Sequence, residues 1–213
     1  MYWIFSAITA IFAYSVGSLS SLIISSNLVF HKDLRRFGKG GAFVSNFRRV
    51  FGWKGGVKLL IVELILDLLP ILVGGILFGM TKHGIVGRAL AGFCLVMGRM
   101  WPAIYELRGG PGLVAMIVSA FAVSPAIGFA VLASAAVVAA ISRYLSLGTL
   151  AGAIVLIAVS LLSLDDSLAI KLCILIALAV IVRHIPAIVR LLNKKEEKIS
   201  FEEDITYKFD ENF

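Results

Sequence analysis

Charged residues are scarce in this chain. Of its 213 residues 15% are charged, whereas 60% are hydrophobic and the mean hydropathy is +0.98. A soluble domain typically has about 25% charged residues and about 45–50% apolar ones. The core of so small a chain cannot bury this apolar excess, so part of the surface has to face lipid. The composition therefore excludes an ordinary soluble protein and predicts an integral membrane protein.

Cysteine is also rare, and other common signals are missing. Cys94 and Cys173 lie in separate apolar segments and give neither a disulfide framework nor metal-ligand spacing. We expect both to be small apolar side chains, and we expect no metal ion and no cofactor. Residues 1–29 lack a basic n-region and are too long for a cleavable signal peptide. The net charge of +7 does not indicate nucleic acid, because the basic residues cluster between apolar segments.

Apolar segments that approach the roughly 20 residues of a membrane span recur along the chain. They predict an all-α, polytopic helical bundle over residues 1–192, with seven helical crossings at 1–29, 57–79, 85–104, 112–123, 125–141, 146–164 and 168–192. The fourth and fifth are short, and one kinked helix is the alternative. Ser124-Pro125 favours two helices, because proline restricts the residue before it.

Basic residues between the segments predict the orientation. Seven Lys and Arg lie in the glycine-rich segment 31–56, which we expect to be a loop, and Arg108, Arg143 and the tail fall on the same side. The other face carries mainly Lys82, Asp165 and Asp166. The positive-inside rule then places the N-terminus outside and the C-terminus in the cytoplasm. Residues 193–213 form a charged tail, predicted to be disordered, with a partner-docking segment as the alternative.

Two glycine-rich segments indicate anion binding. Residues 33–49 combine three glycines with Arg and Lys, which lets backbone N–H groups and cations approach a phosphate. Arg108 precedes glycines that open a helix, and such an N-terminus can bind phosphate. The alternatives are a flexible positive loop for the first segment and a tight turn for the second.

Ionisable residues inside apolar segments are the other candidates. His184 follows Arg183 in the last segment, where it is either a proton carrier or an interfacial histidine held by the backbone. Glu63 and Asp67 lie one helical turn apart on one face. These carboxylates serve either proton or cation transport, or an ion pair with Arg88 or Arg99.

The glycine-rich segments and His184 fall on one predicted membrane face, which suits a pocket for a phosphorylated lipid precursor. The sequence here resembles the PlsY family of glycerol-3-phosphate acyltransferases over about residues 13–192. The matching residues are Ala13-Tyr14, Gly17-Ser18, Asp33-Leu34-Arg35, Gly38, Gly40, Asn46, Arg49, Gly98, Pro102, Gly109, Gly110, Gly112, Arg183-His184 and Arg190-Leu191-Leu192. The resemblance implies seven spans and an outside N-terminus.

Several positions depart from the family pattern. Lys39 and Gly41 replace a serine and an asparagine, and Arg99 replaces a histidine. Pro111 stands where a phosphate-binding lysine is expected, and proline donates no hydrogen bond. An acidic and an amide residue of the third motif are replaced by Pro186 and Ala187.

The resemblance implies acyl transfer from acyl phosphate to glycerol 3-phosphate in a bacterial plasma membrane, giving lysophosphatidic acid. It assigns catalysis to His184, Asn46 and Arg49. The expected phosphate-binding residues are Gly38, Lys39, Gly40, Arg108, Gly109, Gly110, Gly112 and Arg143. The alternative is a catalytically inactive relative that binds a lipid phosphate or a membrane protein partner. The resemblance argues against a transporter.

Overall fold

The computed structural model describes residues 2–19, 44–107, 109–196 and 198, and of residues 44–54 and 56 only the backbone. This part of the chain is helical, as the composition predicts. The helices are α1 (Tyr2–Ser18), α2 (Val44–Gly79), α3 (Gly84–Met100), α4 (Leu113–Val123), α5 (Pro125–Ser142), α6 (Leu145–Ser163), α7 (Ser167–Arg183) and α8 (Ile185–Leu192), with a 3-10 turn at Ala103–Tyr105.

Membrane-spanning length and apolar composition occur together in several helices. Four qualify over Val57–Gly79, Gly84–Tyr105, Pro125–Ser142 and Leu145–Ser163, and the bent pair α7–α8 makes a fifth if it is one span. The helices α1 and α4 are apolar but shorter. Large apolar side chains point outward, and the side chains of Leu162 and Ile141 are 86% and 81% exposed. Lipid is the solvent in which such exposure is favourable, so the chain is an integral membrane protein.

The start of α2 corrects one sequence prediction. Residues 44–56 were expected to belong to a loop, but their backbone continues without a break into the 36-residue helix Val44–Gly79. Glycine lowers helix stability by about 1 kcal/mol relative to alanine, which packing readily offsets. Gly55 and Leu59 are indeed buried. No proline occurs before Pro70 to stop the helix.

The predicted division between the fourth and fifth helices is confirmed. Ser124 has an extended backbone (φ −154°, ψ 131°) and separates α4 from α5. Pro125 is the first residue of α5, a position where its missing N–H is harmless.

The last predicted helix, 168–192, is instead two helices that meet at His184 with a bend of 44°. Pro186 has no N–H to donate to the carbonyl of Val182, and its ring crowds the preceding turn. The third helix likewise ends at Met100, earlier than expected, and the chain continues through Pro102 into the 3-10 turn. Both interruptions place polar residues beside the candidate site.

The helices pack closely around one apolar core. The largest fully buried side chains come from α2 to α7 and are Ile71, Leu95, Val96, Met100, Met116, Ile127, Val131, Leu156, Ile176 and Val180. Small residues set the closest contacts, as is common between membrane helices. A Cβ on Gly148 of α6 would lie 2.5 Å from the carbonyl oxygen of Ala135 in α5.

Candidate functional site

A cavity of about 380 Å³ opens where three parts of the chain meet. One wall is the linker between α3 and α4, another is the first turn of α6, and the third is the junction of α7 with α8. Its lining residues are Gly109, Gly110, Pro111, Leu145, Ser146, Thr149, Arg183, His184, Pro186, Ala187, Arg190 and Glu196.

The glycine linker is fixed from both sides. The N–H of Gly110 donates to the carbonyl of Arg99 at 3.1 Å, and a Cβ on Gly109 would collide with that same oxygen. Gly112 has φ +75°, a conformation that favours glycine, and it caps the N-terminus of α4. The collision at Gly109 and the positive φ at Gly112 explain why both positions of the linker need glycine.

Arg183 and His184 lie side by side where α7 ends. The Arg183 guanidinium donates to the carbonyls of Gly109 at 2.5 Å and Gly110 at 3.4 Å, which joins the α7 wall to the linker. His184 is buried, and its Nδ1 lies 2.8 Å from the carbonyl of Val180. Because a carbonyl only accepts, Nδ1 carries the proton of the neutral ring, and Nε2 is left as the acceptor.

Four further polar residues, which sequence reasoning did not assign to the site, line the cavity. Ser146 has a buried hydroxyl without a hydrogen-bond partner in the described part of the chain, whereas the Thr149 hydroxyl donates to the carbonyl of Leu145. Their spacing of three at the start of the helix, where residues 145–159 are otherwise apolar, is the signal that could have found them. Arg190 donates from Nε to Glu196 at 2.6 Å. Glu196 lies beyond the helix, and no sequence pattern connects it with the cavity.

The predicted site residues are placed as follows. His184, Gly109 and Gly110 share the cavity, and Gly112 follows its wall without lining it. Arg143 is exposed at the end of α5 and is not a lining residue. Asn46 and Arg49 lie in the first turns of α2, with side chains outside the described residues. Gly38, Lys39, Gly40 and Arg108 also lie outside the described residues.

The carboxylates of α2 form an ion pair, one of the two alternatives left open by the sequence. The buried Asp67 carboxylate accepts a hydrogen bond from Nη2 of Arg99. An oxygen of Glu63 lies 3.9 Å from Nε of the same arginine. Arg88, the other predicted partner, forms no ion pair with the described residues.

Comparison with known proteins identifies the family and supports the fold. A model of the family described as glycerol-3-phosphate acyltransferase matches residues 7–194. A glycerol-3-phosphate acyltransferase of Thermoanaerobacter sp. (strain X514) is 27% identical over 94% of this chain and 99% of its own length. One from Clostridioides difficile (strain 630) is 30% identical over 90% of this chain and 94% of its own length.

Two solved structures have a similar fold. Both are of PlsY, an integral membrane glycerol 3-phosphate acyltransferase, in its glycerol 3-phosphate and lysophosphatidic acid forms. The TM-scores are 0.76 and 0.77 at 24% identity, and the matches cover 94% and 93% of this chain and 98% and 97% of the PlsY chains. Since the family model covers most of the sequence, the chain belongs to the glycerol-3-phosphate acyltransferase family.

Proposed function

We propose that this protein transfers an acyl group from acyl phosphate to glycerol 3-phosphate. The 1-hydroxyl of glycerol 3-phosphate attacks the acyl carbonyl, and a C–O ester bond forms. The bond between the carbonyl carbon and the phosphate oxygen breaks, and inorganic phosphate leaves with the electron pair. The products are lysophosphatidic acid and phosphate, and the proton of the attacking hydroxyl has to be removed.

The observation that carries this proposal is the cavity between the glycine linker and the α7–α8 junction. It brings a histidine with a free acceptor nitrogen, two arginines and two hydroxyl groups to one place. Arginine is suited to phosphate because its fork donates two parallel hydrogen bonds. Nε2 of His184 is suited to accept the hydroxyl proton, since general bases act within hydrogen-bond reach.

Arg190 and Arg183 offer a way to bind phosphate despite Pro111. Arg183 uses two of its donors on the linker carbonyls, which leaves the others for a ligand. Arg190 lines the cavity, and its side chain is about half exposed. The unpartnered Ser146 hydroxyl adds a neutral donor. We assign phosphate contacts also to Gly38, Lys39, Gly40, Arg108, Gly109 and Gly110 and, from beside the cavity rather than from its lining, to Gly112 and Arg143. Catalytic contacts are assigned to Asn46 and Arg49.

The proposed setting is the bacterial plasma membrane, with the N-terminus outside and the site and C-terminus on the cytoplasmic side. The two relatives named above are from bacteria, and the basic residues favour this orientation. The acyl chain then enters from the bilayer, and glycerol 3-phosphate enters from the cytoplasm.

The test is phosphate release by the purified protein in nanodiscs supplied with palmitoyl phosphate and glycerol 3-phosphate. We expect release that depends on glycerol 3-phosphate, together with lysophosphatidic acid identified by mass spectrometry. A folded sample that forms neither product would reject the proposal and favour an inactive relative that binds a lipid phosphate or a protein partner.

His184→Ala tests the assignment of the base. We expect kcat to fall by about 10²–10⁴-fold, the typical contribution of a general base. The matched control is His83→Ala. His83 caps the N-terminus of α3, the end of that helix away from the glycine linker, and it does not line the cavity. Equal turnover of the His184 variant, the His83 variant and the unmodified protein would remove His184 from the mechanism.

A further inference from the structure

Arg99 lies where three parts of the molecule meet. It belongs to the last turn of α3 and is only 6% exposed. Its Nη1 donates to the carbonyl of Leu19, just after α1, at 2.7 Å, and its Nη2 donates to Asp67 of α2. Its own carbonyl accepts from the N–H of Gly110. One residue thus connects α1, α2 and the cavity wall.

We propose that Arg99, held by Asp67 and Leu19, is a positioning residue that sets the Gly109–Gly110 turn for phosphate binding. The inference rests on the proposed function and goes beyond it, because Arg99 does not line the cavity. It acts through its backbone: Gly110 hydrogen-bonds to the Arg99 carbonyl, and Gly109 packs on it. A displacement of that carbonyl displaces the turn.

The geometry requires an arginine rather than any cation. The two terminal nitrogens of the guanidinium reach two acceptors at once, the Leu19 carbonyl just after α1 and the Asp67 carboxylate in α2. A lysine offers a single ammonium group, which cannot reproduce that fork. Glu63 plays a lesser part, because its oxygen lies 3.9 Å from Nε, beyond hydrogen-bond distance.

Stability alone does not account for this arrangement. Desolvation of a buried ion pair largely offsets its attraction, and apolar replacements are often as stable. An apolar residue cannot form directional hydrogen bonds to two polar partners and so cannot fix the position of the helix end relative to them. Errors of about 1 Å in the placement of a binding group lower activity by as much as about 10²-fold. A role in placing the turn therefore fits the buried guanidinium better than a role in stability.

The experiment compares Arg99→Lys with Arg88→Lys in nanodiscs, with thermal stability measured alongside the KM of each substrate and kcat. The control makes the same change in the same helix, at an arginine outside the cavity and outside this ion pair. We expect Arg99→Lys to raise the KM of a phosphorylated substrate on the order of tenfold, with a smaller change in kcat. Arg88→Lys should leave both within twofold.

Asp67→Asn keeps the shape of the side chain and is the second test variant, used if Arg99→Lys does not fold. It should raise KM in the same direction by a smaller factor. A folded Arg99→Lys or Asp67→Asn protein whose KM and kcat both stay within twofold would overturn the inference and leave the proposed function intact.

An inactive unmodified protein would overturn the proposed function instead. The inference is then decided by titration calorimetry with inorganic phosphate. A weaker Kd in the Arg99 variant supports it, and an unchanged Kd overturns it.

Discussion

Two regions of the bundle are held together by different forces. Where α1 and α2 pack on α3, the interface contains the buried ion pair of Arg99 with Asp67, and Glu63 lies nearby. Where α5 packs on α6, neither helix contains a charged residue. Both regions also use glycine for close approach, at Gly87 in the first and at Gly148 in the second.

The two regions differ in how strictly they fix the relative orientation of their helices. Close packing of small residues brings backbones together, but it tolerates small rotations, and lipid supplies no hydrophobic force between helices. A guanidinium bonded to two acceptors fixes both distance and angle. The cavity takes its linker wall from the ion-paired region and its α6 wall from the close-packed region, so each kind of force places part of the site.

The largest effect is expected when the ion pair is broken from one side. Arg99→Leu leaves Asp67 buried without its cation, and we expect a loss of about 3–5 kcal/mol in the free energy of unfolding. The measurement is reversible unfolding in detergent, or the shift of thermal stability where unfolding is irreversible.

A triple variant tests whether the ion-paired region can be held together by apolar packing, as the close-packed region is. Combining Arg99→Leu with Asp67→Leu and Glu63→Gln removes all three charges, so the first region comes to resemble the second. We expect most of the lost stability to return, because apolar replacement of a buried pair is often neutral. If the triple variant is as unstable as the single one, the ion pair itself stabilises the fold.

The close-packed region is expected to respond to volume. Gly148→Leu places a side chain where a Cβ alone would lie 2.5 Å from the Ala135 carbonyl and 2.8 Å from Cβ of Ala139. We expect a loss of about 1–3 kcal/mol, the usual range for overpacking, read as a lower thermal midpoint. Gly79→Leu is the control, because a Cβ there has no neighbour within 4 Å. Equal losses at both positions would mean that the α5–α6 contact is not specific.

Much of this fold follows from the sequence, because membrane helices are marked by long apolar runs that lipid requires. Ser124-Pro125 correctly marked the division of α4 from α5. The start of α2 was missed because Gly52, Gly55 and Gly56 suggested a loop, although glycine only weakens a helix. The bend at His184 was missed because apolar residues lie on both sides of Arg183-His184, and hydropathy carries no information on the hydrogen bond that Pro186 removes.

The site was harder to predict than the fold. Residues beside one another in sequence, such as Gly109 and Gly110, could be grouped in advance because they form a local pattern. Ser146 and Arg190 join the cavity only through the packing of α6 and α8, which no local pattern specifies. Arg99 was singled out as an ion-pair candidate, but its carbonyl bond to Gly110 depends on the turn beyond α3.

The smallest effect on stability is expected at the rim of the cavity, where an exposed ion pair can be compared with the buried one. Arg190 and Glu196 form an ion pair that is partly exposed, with 52% and 13% of their side chains accessible. Such a pair contributes about 0.2–1 kcal/mol, in contrast to the buried pair of Arg99. Glu196→Gln should therefore leave unfolding almost unchanged.

Catalysis should be more sensitive than stability to this change. The Glu196 carboxylate competes with a substrate phosphate for Arg190, so its neutralisation should lower the KM of a phosphorylated substrate by up to about fivefold, the equivalent of 1 kcal/mol. Asp165→Asn removes an exposed carboxylate near the other end of α7 and controls for net charge. A higher KM in the Glu196 variant alone would mean that the carboxylate orients Arg190 for the ligand instead of competing with it.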